Sequence, residues 1–112
     1  MLIKFSPQRR DDSVVYEKRG ECVVVNGEVF DFSRMGNGDT LPVQAITSQW
    51  FDGDVDKIEG VLHITLLLPN PANYSPEQAF PTPITVDTDG IIKQPEPLPT
   101  VVATIESEVV DE

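Results

Sequence analysis

The chain has 112 residues, of which 19 are acidic and 8 basic, so its formal net charge is −11. This length predicts one small domain with a thin core. The negative excess argues against general binding to nucleic acid or to an anionic membrane, because both need clustered Lys and Arg. A single cysteine, Cys22, cannot form an internal disulfide.

The first third of the chain contains four predicted strands, of which the last two form a hairpin. Residues 2–6 form the first strand, which we expect to end at Pro7, and residues 14–19 form a weaker second one. Asn26-Gly27 then supplies the two positive-φ positions of a type I′ turn between strands rich in β-branched and aromatic residues. Period-two alternation in this hairpin predicts one core face, made of Val23, Val25, Phe30 and Phe32.

Residues 50–68 predict a second hairpin, with its turn at Glu59-Gly60. One register separates an apolar face from a face rich in carboxylates. The apolar face pairs Lys57 with Leu62, Val55 with Ile64, Gly53 with Leu66, and Phe51 with Leu68. The other face pairs Ile58 with Val61, Asp56 with His63, Asp54 with Thr65, and Asp52 with Leu67.

The composition changes at Pro69, because eight of the ten prolines lie between Pro69 and Pro99. Residues 69–83 predict a Pro-rich connection, which we call the crossing. We expect Tyr74 and Phe80 to anchor it onto the core. A last strand is predicted over 84–86, followed by a turn at Asp89-Gly90. Residues 93–112 predict an extended, Pro-rich, acidic tail that is unstructured in isolation.

Together these elements predict an all-β fold for residues 1–92. The hairpins are local, and no convincing amphipathic helix pattern interrupts them. We therefore expect a small antiparallel β-sandwich or a partly open barrel built from hairpins, followed by the tail of residues 93–112.

The carboxylates of the second hairpin invite a test for metal binding. Asp52, Asp54 and Asp56 have the spacing that opens a calcium loop, but Lys57 and His63 occupy the positions where that loop needs Gly and Glu. On a strand the three carboxylates would lie about 7 Å apart. We favour a solvated acidic face, with a weak cation site as the alternative, and we expect no cofactor.

The sequence offers no arrangement typical of an enzyme. His63 is the only histidine, so no triad or zinc cluster can be assembled within one chain. Its predicted neighbour Asp56 suggests a small structural ion pair. Cys22 lies opposite Asp31, a neighbour that raises a thiol pKa, so we interpret it as a structural thiol and expect no catalysis.

Four aromatic residues are candidates for binding a partner. Trp50 and Phe51 flank the acidic face, although a tryptophan in a small β protein is more often part of the core. Tyr74 and Phe80 lie in the Pro-rich crossing. We name Trp50, Phe51, Tyr74 and Phe80 as the partner-binding candidates.

Four segments occur in a recognisable order: IKFSPQRRDD, VVVNGEVFDFS, WFDGDVDKIEG-VLHITLLLPNPAN and FPTPITVDTDG. This series resembles a family of small uncharacterised proteins of tailed phages and prophages, encoded near tail and tail-fibre genes. The resemblance covers most of residues 1–92, with WF-x-G-x-V and HITLLLP as its most specific parts. It implies a setting and supplies no catalytic residues.

Two functions follow as hypotheses. The first is a phage tail-associated structural or tail-assembly protein that binds other tail or tail-fibre proteins, with self-association as a further option, in the virion tail or in the host cytoplasm during assembly. The second is an acidic inhibitor of a host defence protein that mimics the charge of nucleic acid. Neither requires binding to nucleic acid or to a membrane.

Overall fold

The computed structural model describes residues 1–98. Within that range the chain forms nine strands, a 3₁₀ turn at Val43–Ala45 and one short helix, α1, at Pro76–Ala79. The strands are β1 Leu2–Arg9, β2 Tyr16–Arg19, β3 Cys22–Val25, β4 Glu28–Asp31, β5 Thr40–Leu41, β6 Val55–Ile58, β7 Val61–Asn70, β8 Ile84–Thr85 and β9 Gly90–Ile91.

The strands form two sheets that share one core. The first has the order β5-β6-β7-β1-β8 and the second has the order β4-β3-β2-β9. Most neighbouring strands are antiparallel, so the prediction of an all-β fold is confirmed. The short link between β8 and β9 carries the chain from one sheet to the other.

The first hairpin forms in the predicted register. Val25 lies opposite Glu28 and Val23 lies opposite Phe30, as the two-residue loop requires. Asn26 and Gly27 have φ values of 49° and 88°, which match a type I′ turn. Val23, Val25 and Phe32 are buried, and Phe30 is partly buried against the same core.

The second hairpin follows the predicted register near its turn, where Asp56 lies opposite His63 and Lys57 opposite Leu62. Farther out, the predicted pairing is wrong. Phe51 lies opposite Leu66 and not Leu68, because residues 53–54 are inserted as a bulge. Gly53 has φ of 137°, a conformation that side-chain-bearing residues avoid. Since two residues are inserted, Phe51 still faces inward.

β1 pairs with β7 in parallel, so the prediction of wholly antiparallel pairing is wrong for this contact. The pairing extends from Leu2 opposite His63 to Arg9 opposite Asn70. The first strand also continues through Pro7, where we expected it to end. Pro7 is tolerated because β8 pairs only with the first residues of β1, which leaves the rest of that edge without a neighbouring strand in the first sheet.

The core draws its side chains from both sheets. The inward face of β7 is buried as predicted, with Leu62, Ile64 and Leu66 all at 3% exposure or less. The buried Tyr16 side chain of β2 crosses to the other sheet, where its hydroxyl donates to the Leu67 carbonyl at 2.6 Å. Burial raises the pKa of Tyr16, so this phenol remains a donor.

Candidate functional site

The most exposed large apolar side chain of the described region is Phe80, which is 83% exposed. It lies where α1 ends, and α1 itself is fixed by a capping box. Ser75 Oγ accepts from the Gln78 N–H, while the Gln78 side chain accepts from the Ser75 N–H, and Pro76 occupies the first turn. The prediction that Phe80 anchors the crossing onto the core is wrong.

Beside Phe80 lies a cavity of about 590 Å³, which we call the Phe80 groove. Apolar side chains from three separate segments form its wall, with Phe5 from β1, Ile84 from β8 and Pro95 from the last described segment. Two carboxylates also line it. The carboxylates belong to Glu77 and Glu96, and the other polar lining residues are Thr82, Lys93 and Gln94.

Residues 94–98, which we call the strap, run without helix or strand and complete this wall. Two buried side chains of the α1 region hold it. Ser75 Oγ donates to the Glu96 carbonyl at 2.7 Å, and Gln78 Nε2 donates to the Pro95 carbonyl at 3.3 Å. Gln94 Nε2 donates to the Val14 carbonyl at 2.8 Å.

The strap is part of the segment that we predicted to be a tail from residue 93 onward. Leu98, the last described residue of the strap, is bound to Asn73 by two hydrogen bonds. The Leu98 N–H donates to the Asn73 carbonyl at 3.0 Å, and Asn73 Nδ2 donates to the Leu98 carbonyl at 2.8 Å. Residues 99–112, which carry most of the predicted tail, lie outside the described residues. The limits 1–92 and 93–112 stay predictions.

Tyr74 lies on the same crossing and is 48% exposed, so it does not anchor that crossing in the core either. It is not among the residues that line the Phe80 groove. Phe80 and Tyr74 are therefore both accessible, but only Phe80 adjoins a concave apolar surface.

Trp50 and Phe51 are buried, at 8% and 4% exposure, and belong to the core. The Arg10 guanidinium covers the Trp50 ring at 4.5 Å. The ring of Phe51 packs edge-on against those of Phe30 and Phe32, with centroids 5.0 and 5.8 Å away. Both side chains therefore pack inside the domain. For Trp50 this agrees with the alternative interpretation, in which the tryptophan is part of the core.

The three carboxylates of the second hairpin accept hydrogen bonds from three different segments. Asp52 accepts a hydrogen bond from the Ser6 hydroxyl, Asp54 from the Val43 N–H at 2.8 Å, and Asp56 from the Thr40 hydroxyl. The structure thus gives each carboxylate its own partner and does not gather them around one point. Within residues 1–98, no group of three His, Cys, Asp or Glu side chains is placed to hold a metal ion.

His63 and Cys22 occupy the predicted positions opposite Asp56 and Asp31. Within the described region no ion pair joins His63 to Asp56, so the predicted pair is not formed. Desolvation and, after it, Asp31 raise the pKa of the Cys22 thiol, which confirms the predicted direction.

No family model, curated protein or solved structure matched the chain in three comparisons. None of the helices in the part of the chain that is described is long and apolar enough to cross a membrane.

Sequence reasoning named Phe80 as a candidate but missed the groove beside it. Phe5, Ile84 and Pro95 come together through the pairing of β1 with β8 and through the strap, which are contacts between distant segments. One local signal was available. Pro81 disfavours a helical backbone at Phe80, so the sequence indicates that no helix continues past this residue.

Proposed function

We propose that this protein is a phage tail-associated structural or tail-assembly protein that works by binding another protein and not by catalysis. The resemblance of residues 1–92 to small phage and prophage proteins supports the setting. In this proposal the domain is a small β-sandwich, and the part of the acidic tail that follows the strap docks along a neighbouring tail protein as an extended arm.

The observation that carries the proposal is the exposure of Phe80 beside an apolar groove. Full burial of a phenylalanine side chain stabilises a protein by about 1.5–3 kcal/mol, and the described domain leaves that free energy unused. A single exposed apolar side chain is ordinary. An exposed aromatic ring next to a concave apolar wall is typical of the anchors that dominate protein interfaces.

Mass spectrometry of gradient-purified particles tests this function. A fixed stoichiometry relative to known tail proteins supports a structural role. Absence from particles, combined with capture of a tail or tail-fibre protein from infected cells, supports the assembly role. Absence from particles with no tail protein captured would contradict the proposal.

The acidic-inhibitor function remains the alternative because of the net charge of −11. It draws less support from the arrangement of charges, since several acidic side chains are paired locally. Asp11 and Asp12 bind Arg9 and Arg10, and Asp89 binds Lys18. Binding to a basic host protein that weakens steeply with salt, and that survives loss of Phe80, would favour the inhibitor.

A further inference from the structure

We infer that the Phe80 groove takes an extended segment of a partner protein in which a bulky apolar side chain is flanked by Lys or Arg. The inference names the partner chemistry of the surface proposed above, and so rests on that proposal. Three features support it: the shape and lining of the groove, the charge of its lining residues, and the short, proline-flanked edge strand beside it.

The lining accounts for the apolar part of the ligand. Phe5 belongs to β1, where it lies beside Leu66 of β7, and Ile84 and Pro95 complete the wall from β8 and the strap. The volume of this open groove, about 590 Å³, equals that of pockets that hold a drug-sized molecule, roughly 300–1,000 Å³. The groove has room for a bulky side chain to enter beside the Phe80 ring.

The charge accounts for the flanking residues. Glu77 and Glu96 line the groove, against one basic residue, Lys93. Neither carboxylate forms an ion pair in the described region. The net charge of −11 adds a long-range attraction for cations and repels a second copy of this chain. Charge complementarity therefore favours a basic partner over self-association through this surface.

The sheet edge accounts for the mode of binding. β8 is the terminal strand of its sheet, but it pairs over only two residues, and Pro81 and Pro83 lead into it. Proline removes backbone donors, so this edge is poorly suited to adding a partner strand. Binding must therefore depend on the apolar side chain and the flanking charges, more than on a backbone ladder.

Nuclear magnetic resonance titration of the ¹⁵N-labelled full chain tests the inference with three short peptides. One has a phenylalanine flanked by two lysines on each side, the second replaces every lysine with glutamate, and the third replaces the phenylalanine with alanine. The first peptide should shift the amide resonances of Phe80, Thr82, Ile84 and Gln94. The second and third should bind at least about tenfold more weakly.

Two variants and one control locate the site. Phe80→Ala should weaken the first peptide about tenfold or more, and Glu77→Gln combined with Glu96→Gln should weaken it about threefold and reduce its salt dependence. Tyr74→Ala should bind like the wild type. Shifts centred elsewhere, equal binding of the acidic peptide, or no binding at millimolar concentration would each overturn the inference. These results do not depend on whether the protein occurs in phage particles.

Discussion

The two sheets and the region formed by α1 and the strap are held by different forces. The sheets bury aliphatic side chains such as Ile64 and Leu66, whereas α1 and the strap are held by the buried polar side chains of Asn70, Ser75 and Gln78. Apolar burial is non-directional, but a buried hydrogen-bonding group is costly when its partner is lost. The comparison teaches why period-two patterns predict the sheets and fail for the segment that forms the groove.

Removal of core volume should have the largest effect. Leu66 is fully buried in β7, so Leu66→Ala should lower the free energy of unfolding by about 2–5 kcal/mol, through lost burial and a cavity. Urea denaturation measures this. Ile58→Ala, at a site 49% exposed on the neighbouring strand, is the control and should change little. Equal effects of the two substitutions would contradict the assignment of the core.

Loss of the strap's polar anchor should come next. Gln78→Ala removes the bond to the Pro95 carbonyl and half of the capping box. We expect a loss of about 1–3 kcal/mol, because buried carbonyl and N–H groups lose their partners. Glu77→Ala, on the same helical turn, serves as the exposed control. Wild-type stability of Gln78→Ala would show that the strap does not depend on this anchor.

The bulge in the second hairpin offers a test of comparable size within the sheets. Gly53→Ala places a side chain at φ of 137°, which should cost about 1–3 kcal/mol of backbone strain. Gly36→Ala is the matched control, since Gly36 does not have a positive φ. Thermal unfolding of both variants distinguishes them. A Gly53→Ala variant as stable as Gly36→Ala would contradict the bulge.

The pairing of the β8–β9 link with β2 should depend weakly on pH. The Gly20 N–H and then Lys18 lower the pKa of the Asp89 carboxyl. A lowered folded-state pKa stabilises the fold above the ordinary value of 3.8 and loses that contribution as the pH falls through the lowered value. The free energy of unfolding, measured with urea at several acidic pH values, should therefore decrease less for Asp89→Asn than for the wild type as the pH falls. Asp87→Asn is the control. An identical pH dependence for Asp89→Asn and the wild type would refute the contact.

The sequence predicted what depends on neighbours in the chain. Both turns, at Asn26-Gly27 and Glu59-Gly60, and the registers next to them are confirmed. The parallel pairing of β1 with β7 was missed, because periodicity specifies which face of a strand is buried and not which distant strand it pairs with. The pairing of Phe51 with Leu66 was missed because a glycine permits a bulge without requiring one.

The candidate site was predicted only as a set of residues. Phe80 was named, but it was expected to serve as an anchor in the core, a task that Ser75 and Gln78 perform through hydrogen bonds. Trp50 and Phe51 were named for the surface and lie inside. Aromatic side chains look alike in a sequence, and only the folded contacts separate an interior ring from an exposed one.

Substitution of Phe80 should have the smallest effect on stability. Because its side chain is 83% exposed, Phe80→Ala should change the free energy of unfolding by no more than about 0.5 kcal/mol. Urea denaturation of Phe80→Ala and Leu66→Ala under the same conditions compares the loss of an exposed side chain with the loss of a buried one. A loss of several kcal/mol would assign Phe80 to the core.

The most direct test of the central claim is capture of tail proteins from infected cells by Phe80→Ala, with Tyr74→Ala and the wild type as references at equal amounts of folded protein. The account predicts that Phe80→Ala captures at least about tenfold less of the same tail protein, while Tyr74→Ala captures as much as the wild type. Undiminished capture by Phe80→Ala would contradict the claim that this exposed ring and its groove form the binding surface.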